Sequence, residues 1–153
     1  MFISDKEILN LIKNSAVSLT DLDVNYIRTA SIDLKVSNIV SKSKENTGIE
    51  INADSTYDDI KSSFEEYKIK DKFILQPNSS VIARTKEIIT INSDHIGIMI
   101  NRNSLVRLGV SVSISIVNPG YSGFLPFIIR NESNFNFSFK EGDRLCQLIL
   151  AKT

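Results

Sequence analysis

Length, composition and charge together limit what this chain can be. It has 153 residues, 42% of them hydrophobic, and 18 Lys and Arg balance 18 Asp and Glu to a net charge of zero. This length predicts one domain, residues 1–153, with a substantial core. The balanced charge argues against a DNA, RNA or membrane-surface binder, although it leaves room for a local basic site.

Cysteine and histidine are too few for several kinds of site. The single Cys146 has no disulfide partner and lies in an apolar run, so we expect a buried thiol. His95 alone cannot build a histidine-based zinc centre. No apolar run is long enough to span a bilayer, and the N-terminus lacks a basic-then-apolar leader. We therefore expect a cytoplasmic protein with no membrane partner.

The first residues predict a short amphipathic helix. Ser4 and Glu7 have the spacing of a capping box, and Ile3 and Ile8 have the spacing of a hydrophobic staple. Apolar residues then recur at helical spacing. We expect this helix to dock on the rest of the fold and to carry no chemistry.

The next segments predict a strand and a polar excursion. Alternation from Ser31 onward is typical of a strand. Residues 41–72 are the most polar part of the chain, and they carry large side chains at helical spacing: Tyr57, Ile60, Phe64 and Tyr67. This spacing predicts a short amphipathic helix that covers one end of a sheet. A partner-binding arm is the alternative interpretation.

From Phe73 to the end, short strand patterns follow one another closely. Turn residues separate them at Gln76–Ser79, Asn118–Gly120 and Glu141–Asp143. Many short strands with few helices predict a mainly β fold, an antiparallel barrel or a jelly-roll-like sandwich.

Three stretches could carry chemistry. In "NRNSLVRLG", from Asn101 to Gly109, arginine forks and polar donors suit phosphate, although a solvated polar turn is the alternative. In "ASIDL", Asp33 must pair or hydrogen-bond if it is buried. In "EGDRLCQLIL", Gln147 interrupts an apolar run, and Asp143 and Arg144 could form a structural pair.

The order of these motifs is more specific than any one of them. "ASIDL", "NRNSLVRLG", "NPGYSG" and "EGDRLCQL" together resemble the ordered motifs of the dCTP deaminase and dUTPase superfamily. The N-terminal "ISDKEILNLI" and the segment "PNSSVIARTKEIITI" are similar to the deaminase branch. The resemblance runs from about Phe2 to Leu150.

The resemblance implies a distorted jelly-roll β-barrel, a homotrimer and nucleotide sites between subunits. Arg102, Asn103 and Ser104 occupy the phosphate-gripping motif, and Arg107 matches an arginine that lines the deaminase site. The remaining ligand-binding positions implied are Asn118 and Tyr121 at the sugar, Gln147 near phosphate or base, and Asp33, which in dUTPases helps to hold hydrated magnesium. The resemblance implies no cofactor beyond Mg²⁺ accompanying a triphosphate.

Several positions depart from the family pattern. Asn118 stands where the family has an aspartate, and an amide cannot act as a general base near neutral pH. Ile128 stands where the deaminases have their catalytic glutamate. Glu132 lies four residues on, roughly 13 Å along an extended strand.

Three further features depart from the family pattern. Asn103 replaces a serine, the 109–118 hairpin is about two residues shorter, and the chain stops at Thr153 without the Gly-rich tail of dUTPases. We therefore assign no catalytic residue.

Three interpretations remain open. The first is a nucleotide-binding pseudoenzyme that sequesters or senses a deoxynucleotide or related phosphorylated ligand, for example in phage–host conflict. The second is an active but divergent dCTP deaminase or dUTP diphosphatase, with Asp33 or Glu132 as proton carrier. The third is a structural or protein-binding trimer whose surface around Tyr57–Tyr67 binds a partner.

Overall fold

The computed structural model describes every residue from Met1 to Thr153. It contains three α-helices: α1 (Asp5–Lys13), α2 (Tyr57–Ile60) and α3 (Asn103–Val106). The thirteen strands are β1 (Val17–Leu19), β2 (Ile32–Ser43), β3 (Phe64–Lys68), β4 (Phe73–Leu75), β5 (Ser79–Thr85), β6 (Ile89–Ile91), β7 (His95–Asn101), β8 (Val110–Val112), β9 (Ser115–Val117), β10 (Ser122–Gly123), β11 (Pro126–Asn131), β12 (Phe137–Phe139) and β13 (Arg144–Lys152). No helix combines the length and apolar character needed to cross a membrane.

The strands form one large curled sheet and two small ones. The large sheet runs β8-β11-β5-β2-β13-β7-β9, with β3 added to β2, and all of its pairings are antiparallel. Its two end strands, β8 and β9, are separated by only Ser113 and Ile114 in the chain. Two residues cannot cross a flat sheet of seven strands, so the sheet must curl round until its ends meet. The prediction of a mainly β, barrel-like fold with a short N-terminal helix is confirmed.

The expected hairpin between Gly109 and Asn118 is not formed. β8 pairs with β11 and β9 pairs with β7, and the two strands do not pair with each other. The alternation in "VSVSISIV" predicts strands, and strands are present, but alternation alone does not determine which neighbouring strand each one pairs with. This segment joins the two ends of the curled sheet.

Alternation along β11 separates an inner from an outer face of the sheet. The buried residues are Phe127, Ile129 and Asn131. On the opposite face, Pro126 and Arg130 are exposed and Ile128 is half-buried. Pro126 is the first residue of its strand and lies beyond the part that pairs with β8, so its missing N–H costs no ladder hydrogen bond there.

Two local predictions are corrected by the structure. Ser4 is the N-cap of α1, but its side chain makes no capping hydrogen bond, so the capping box is absent. Ile3 and Ile8 are both buried, as the staple requires. The helix expected over 57–67 ends at Ile60, and after a 3₁₀ turn Phe64–Lys68 pairs with the end of β2 instead. Pairing with the exposed edge of β2 satisfies backbone groups, and this tertiary gain overrides a weak helical pattern.

Glu87 is a buried carboxylate in the connection between β5 and β6. It is 2% exposed, and both of its oxygens accept the main-chain N–H of Lys35 at 3.1 Å. The Lys35 ammonium lies 3.8 Å from Oε1. Burial raises the pKa of Glu87 above its ordinary value near 4.5, and the N–H donors and nearby lysine charges offset this only in part.

This carboxyl group should make the stability of the fold depend on pH. Because the folded chain holds the Glu87 proton more tightly than the unfolded chain, the free energy of unfolding should fall as pH rises from about 4.5 through the raised pKa. Glu87→Gln cannot titrate and should flatten that part of the profile. Thermal melts of both proteins between about pH 4.5 and about pH 8 test this. Parallel profiles would contradict it.

Candidate functional site

The centre of the candidate site is the buried carboxylate of Asp33 on β2. Gln147 lies opposite it on β13, and the Gln147 amide donates to Oδ1 at 3.0 Å. Two guanidinium groups reach the other oxygen: Arg28 Nε at 3.0 Å and Arg144 Nη1 at 3.1 Å. The Asp33 side chain is only 2% exposed, so it is almost closed off from solvent.

These contacts fix the protonation state of Asp33. Burial raises the pKa of its carboxyl, but the hydrogen bonds from Gln147 and Arg28 and the charges of Arg28 and Arg144 outweigh burial. The net result is a pKa below the ordinary value for aspartate. Asp33 is therefore ionised near neutral pH and holds no proton to donate.

A surplus of positive charge surrounds this carboxylate. Arg102 donates from Nη1 to the main-chain oxygen of Arg144 at 3.1 Å, which brings a third guanidinium to the cluster. Two arginines thus share one aspartate, and a third lies beside them, bonded to the main chain of Arg144. Tyr26 stacks beneath Arg144, with the guanidinium carbon 4.8 Å from the ring centroid. Such a preorganised cationic cluster suits an oxyanion.

The neighbouring helix α3 adds free polar groups. Asn103, Ser104 and Arg107 are exposed and make no side-chain hydrogen bond. Leu105, in the middle of the helix, is buried and anchors it to the core. The structure therefore brings Arg102, the α3 residues, Gln147 and Asp33 to one region, as the order of the motifs implied.

The predicted turn at Asn118–Tyr121 is present. The N–H of Tyr121 donates to the oxygen of Asn118 at 3.1 Å, and Gly120 has φ +82°, which a type II turn requires at that position. The Tyr121 hydroxyl donates to the main-chain oxygen of Phe124. This hydrogen bond fixes the ring against the core and leaves Asn118 exposed.

The turn and the cationic cluster do not meet within one chain. Val117 pairs with Gly97 near the start of β7, whereas Arg102 follows the last residue of β7. Gly97 and Arg102 are five residues apart, which is roughly 17 Å along an extended strand. The sequence-predicted site residues therefore form two groups at opposite ends of the same strand.

Ile128, at the position of the family's catalytic glutamate, and Glu132, weighed as a substitute proton carrier, lie apart. Ile128 faces the outside of the curled sheet, and its N–H donates to the Ser113 hydroxyl at 2.9 Å. Glu132 lies beyond the end of β11, and its N–H donates to the oxygen of Gly109 at 2.8 Å. No carboxylate of β11 occupies the position of Ile128.

The structure does not favour Asp33 as a magnesium ligand. Both of its oxygens already accept hydrogen bonds from cationic or amide donors. No group of three or more His, Cys, Asp and Glu side chains is placed to hold a metal ion. The expected Asp143–Arg144 pair is also replaced: Asp143 pairs with Lys140, while Arg144 turns to Asp33.

Sequence reasoning missed Tyr26 and Arg28. Arg28 is brought beside Asp33 by a tight turn, in which its N–H donates to the oxygen of Ser31 and Ile27 bridges to Ile32. The signal was available, because a buried aspartate requires a cation and Arg28 lies five residues upstream.

A scan against family models matches residues 2–153 to a model described as dCTP deaminase-like. The chain belongs to the dCTP deaminase-like family. A dCTP deaminase, dUMP-forming, of Hydrogenobaculum sp. is 30% identical over 99% of this chain and 82% of its own length. A probable deoxyuridine 5′-triphosphate nucleotidohydrolase of Sulfolobus islandicus rod-shaped virus 1 is 29% identical over 100% of this chain and 85% of its own length.

Solved structures share the deaminase-like fold. The 2′-deoxycytidine 5′-triphosphate deaminase from Agrobacterium tumefaciens superposes with a TM-score of 0.77 at 19% identity, over 99% of this chain. The chain spans about half of that protein, 48% of its length. The dUTPase from phage phi11 of S. aureus gives a TM-score of 0.56 at 13% identity, over 90% of each chain. The predicted dUTPase-like barrel is confirmed.

Proposed function

We propose that this dCTP deaminase-like chain, as a single domain over residues 1–153, binds a deoxynucleotide or related phosphorylated ligand and does not turn it over. The observation that carries the proposal is the cationic cluster: two guanidinium groups on one carboxylate, with Arg102 bonded to the main chain of Arg144 beside them, next to the unbonded donors of α3. Phosphate oxygens would accept from Arg102, Ser104 and Arg107.

The nucleotide site is proposed to lie between subunits of a homotrimer. Within one chain the backbone of the Asn118 turn is roughly 17 Å from that of Arg102 along β7, which favours a site whose sugar and phosphate are held by different chains. Exposed apolar side chains next to these groups support a subunit interface there; they are Val106, Leu108, Ile114, Ile116 and Phe135.

The absence of turnover is proposed from the groups around Ile128. Deamination requires a group that takes a proton from water and gives one to the leaving amine. Ile128 and Asn118 provide none. Both oxygens of Asp33 already accept hydrogen bonds, and its lowered pKa makes it a weak base with no proton to give. Glu66 on β3 lies in register with Ile128 across the sheet, but it is three strands away, roughly 14 Å.

A turnover assay tests this proposal. Purified protein incubated with dCTP or dUTP and Mg²⁺ should release neither ammonia nor pyrophosphate, because losing one acid–base group alone lowers a rate roughly 10²–10⁴-fold. A dCTP deaminase assayed in parallel serves as the positive control. Formation of dUMP or dUTP at more than about 1% of the control rate would contradict the proposal.

An active, divergent enzyme is the second candidate, and the named relatives favour it. Sequences about 30% identical over the whole chain carry the names of a dCTP deaminase and of a dUTP nucleotidohydrolase. In that case Glu132, which is exposed and beyond the end of β11, would carry the proton. Turnover that Glu132→Gln abolishes would establish this second candidate.

A further inference from the structure

The outer edge of β3 is a strand edge without a partner. β3 pairs with the end of β2 in a continuous register without a bulge, and it pairs with no other strand. Four of its five residues are exposed, and none is a proline. Proteins usually protect such an edge with a proline, a bulge, a covering segment or charge. Of these β3 has charge alone, so its charge decides which further strand the edge can accept.

The register shows which main-chain groups of β3 face outward. Directly after the strand, the N–H of Ile69 donates to the oxygen of Asn38 on β2 at 2.6 Å. In an antiparallel pair the hydrogen-bonded residues alternate, so β3 bonds to β2 through every second residue counted back from Ile69. Glu66 and Lys68 fall between these residues. Their N–H and C=O groups therefore point away from β2, towards an edge that no strand occupies.

The charge of this region selects a basic partner. Residues 45–66 contain seven acidic residues and one basic residue, a net charge of −6 in a chain whose total is zero. All seven acidic residues are exposed. On the edge itself, Glu66 takes part in none of the salt bridges of the chain. A surface of this sign attracts a cationic segment and repels a nucleic acid.

A second copy of β3 does not fit this edge. Antiparallel pairing in full overlap would set Glu66 of each copy directly opposite Glu66 of the other, and like charges in that position destabilise a strand pair. It would also bring together two stretches that each carry a net charge of −6. The charge that protects β3 from its own copy is therefore the charge that a basic strand would complement.

An apolar contact is available on the same face as Glu66. Side chains alternate along a strand, so Phe64 lies on that face too. The Phe64 ring packs against Tyr57 with 5.6 Å between the ring centroids, and Tyr57 is exposed. A strand added at this edge would thus meet a carboxylate and, two residues along, a pair of aromatic rings. Alternating cationic and apolar residues in the added strand suit these neighbours.

We propose that the outer edge of β3 binds an extended basic segment of a partner protein, which adds to the sheet as a further strand. The main chain of the segment bonds to Glu66 and Lys68, and a Lys or Arg side chain of the segment pairs with the Glu66 carboxylate. Apolar side chains of the segment pack on Phe64 and Tyr57. This proposal is independent of nucleotide binding, because β3 contributes no residue to the cationic cluster or to the Asn118–Tyr121 turn.

Hydrogen exchange followed by NMR on the full chain tests the proposal. The probe is a seven-residue peptide that alternates Arg or Lys with Val, capped at both ends. The outward amides of Glu66 and Lys68 should exchange rapidly in the free protein and at least about tenfold more slowly with saturating peptide. The amide of Ile69, already bonded to Asn38, should change little. The same peptide with Glu at the basic positions should not bind at up to about 1 mM.

Two matched changes separate strand pairing from simple charge attraction. Glu66→Pro removes an N–H that faces away from β2, so the pairing of β2 with β3 is kept. It should weaken the basic peptide about tenfold or more. N-methylation of the three central residues of the peptide keeps its charge and removes its own donors. This second change should cause a similar loss with the wild-type protein, which keeps the test decisive if the proline variant does not fold.

A second pair of variants tests the carboxylate. Glu66→Gln keeps the main-chain groups and removes the charge, and it should weaken the basic peptide about threefold to fivefold. Glu50→Gln removes an exposed carboxylate of the same acidic stretch but outside β3. It should change the affinity less than about twofold.

Five results would overturn the proposal. Absence of binding or unchanged exchange at Glu66 and Lys68 would show that no strand is added. Equal binding of the N-methylated peptide would reduce the interaction to charge attraction. Protection of these amides that grows with protein concentration, without peptide, would assign the edge to a second copy. Displacement of the peptide by dCTP would assign the edge to the nucleotide site. A protein that binds no nucleotide at all would leave the exchange readout unaffected, so the two proposals fail separately.

Discussion

Replacing Asp33 with asparagine should lower the free energy of unfolding by about 2–4 kcal/mol. The Asp33 side chain is 2% exposed and accepts from Arg28, Arg144 and Gln147. Asparagine keeps the shape, but it removes the charge and points an N–H₂ at donors. Breaking a fully buried pair costs more, but Arg28 and Arg144 are 48% and 27% exposed and can regain water. Chemical denaturation of both proteins measures the difference.

A control variant and a pH series make this prediction specific. Asp58→Asn removes a carboxylate from an exposed pair with Lys61 and should cost less than about 0.5 kcal/mol. Because the pKa of Asp33 is lowered, its contribution is present above the ordinary aspartate value and is lost as pH falls through the folded-state value. The difference between wild type and Asp33→Asn should therefore shrink in strong acid. Equal stability of the two proteins at neutral pH would contradict the assigned network.

Arg102→Met should weaken deoxynucleotide binding about tenfold to a hundredfold while the fold stays intact. The guanidinium of Arg102 donates one hydrogen bond to the main-chain oxygen of Arg144, and its other N–H groups remain available to bind phosphate. Calorimetry with dCTP, dUTP, dCMP and dUMP measures the affinity, and affinity for the triphosphates should also fall as salt is raised.

The same experiment needs two controls. Arg130→Met removes an exposed arginine outside the cluster and should leave affinity within about twofold. Light scattering should give wild type and Arg102→Met the same mass, three times the chain mass of 17.2 kDa. No binding of any nucleotide to wild type would contradict the proposed function, and a monomer mass would contradict the shared site.

The strands, the turns and the family could all be predicted from the sequence. Alternation in "ASIDLKVSNIV", the Pro and Gly in "NPGYSG" and the order of the motifs are local properties of the chain, and β2, the type II turn and the family match follow from them. The helix expected up to Tyr67 was wrong, because its second half gained more by pairing with β2.

On its own, the sequence predicts that Asp33, Arg102 and Gln147 belong to one site, and it places at positions 118 and 128 side chains that do not titrate near neutral pH. Which groups meet depends on the tertiary structure. Asp33 is paired with Arg28 and Arg144, and Asn118 is kept far from Arg102 along β7. The Nε of Arg84 is left buried without a hydrogen-bond acceptor. The physical reason is that alternation fixes the face of a side chain, whereas its partners depend on register and on which distant strand lies beside it.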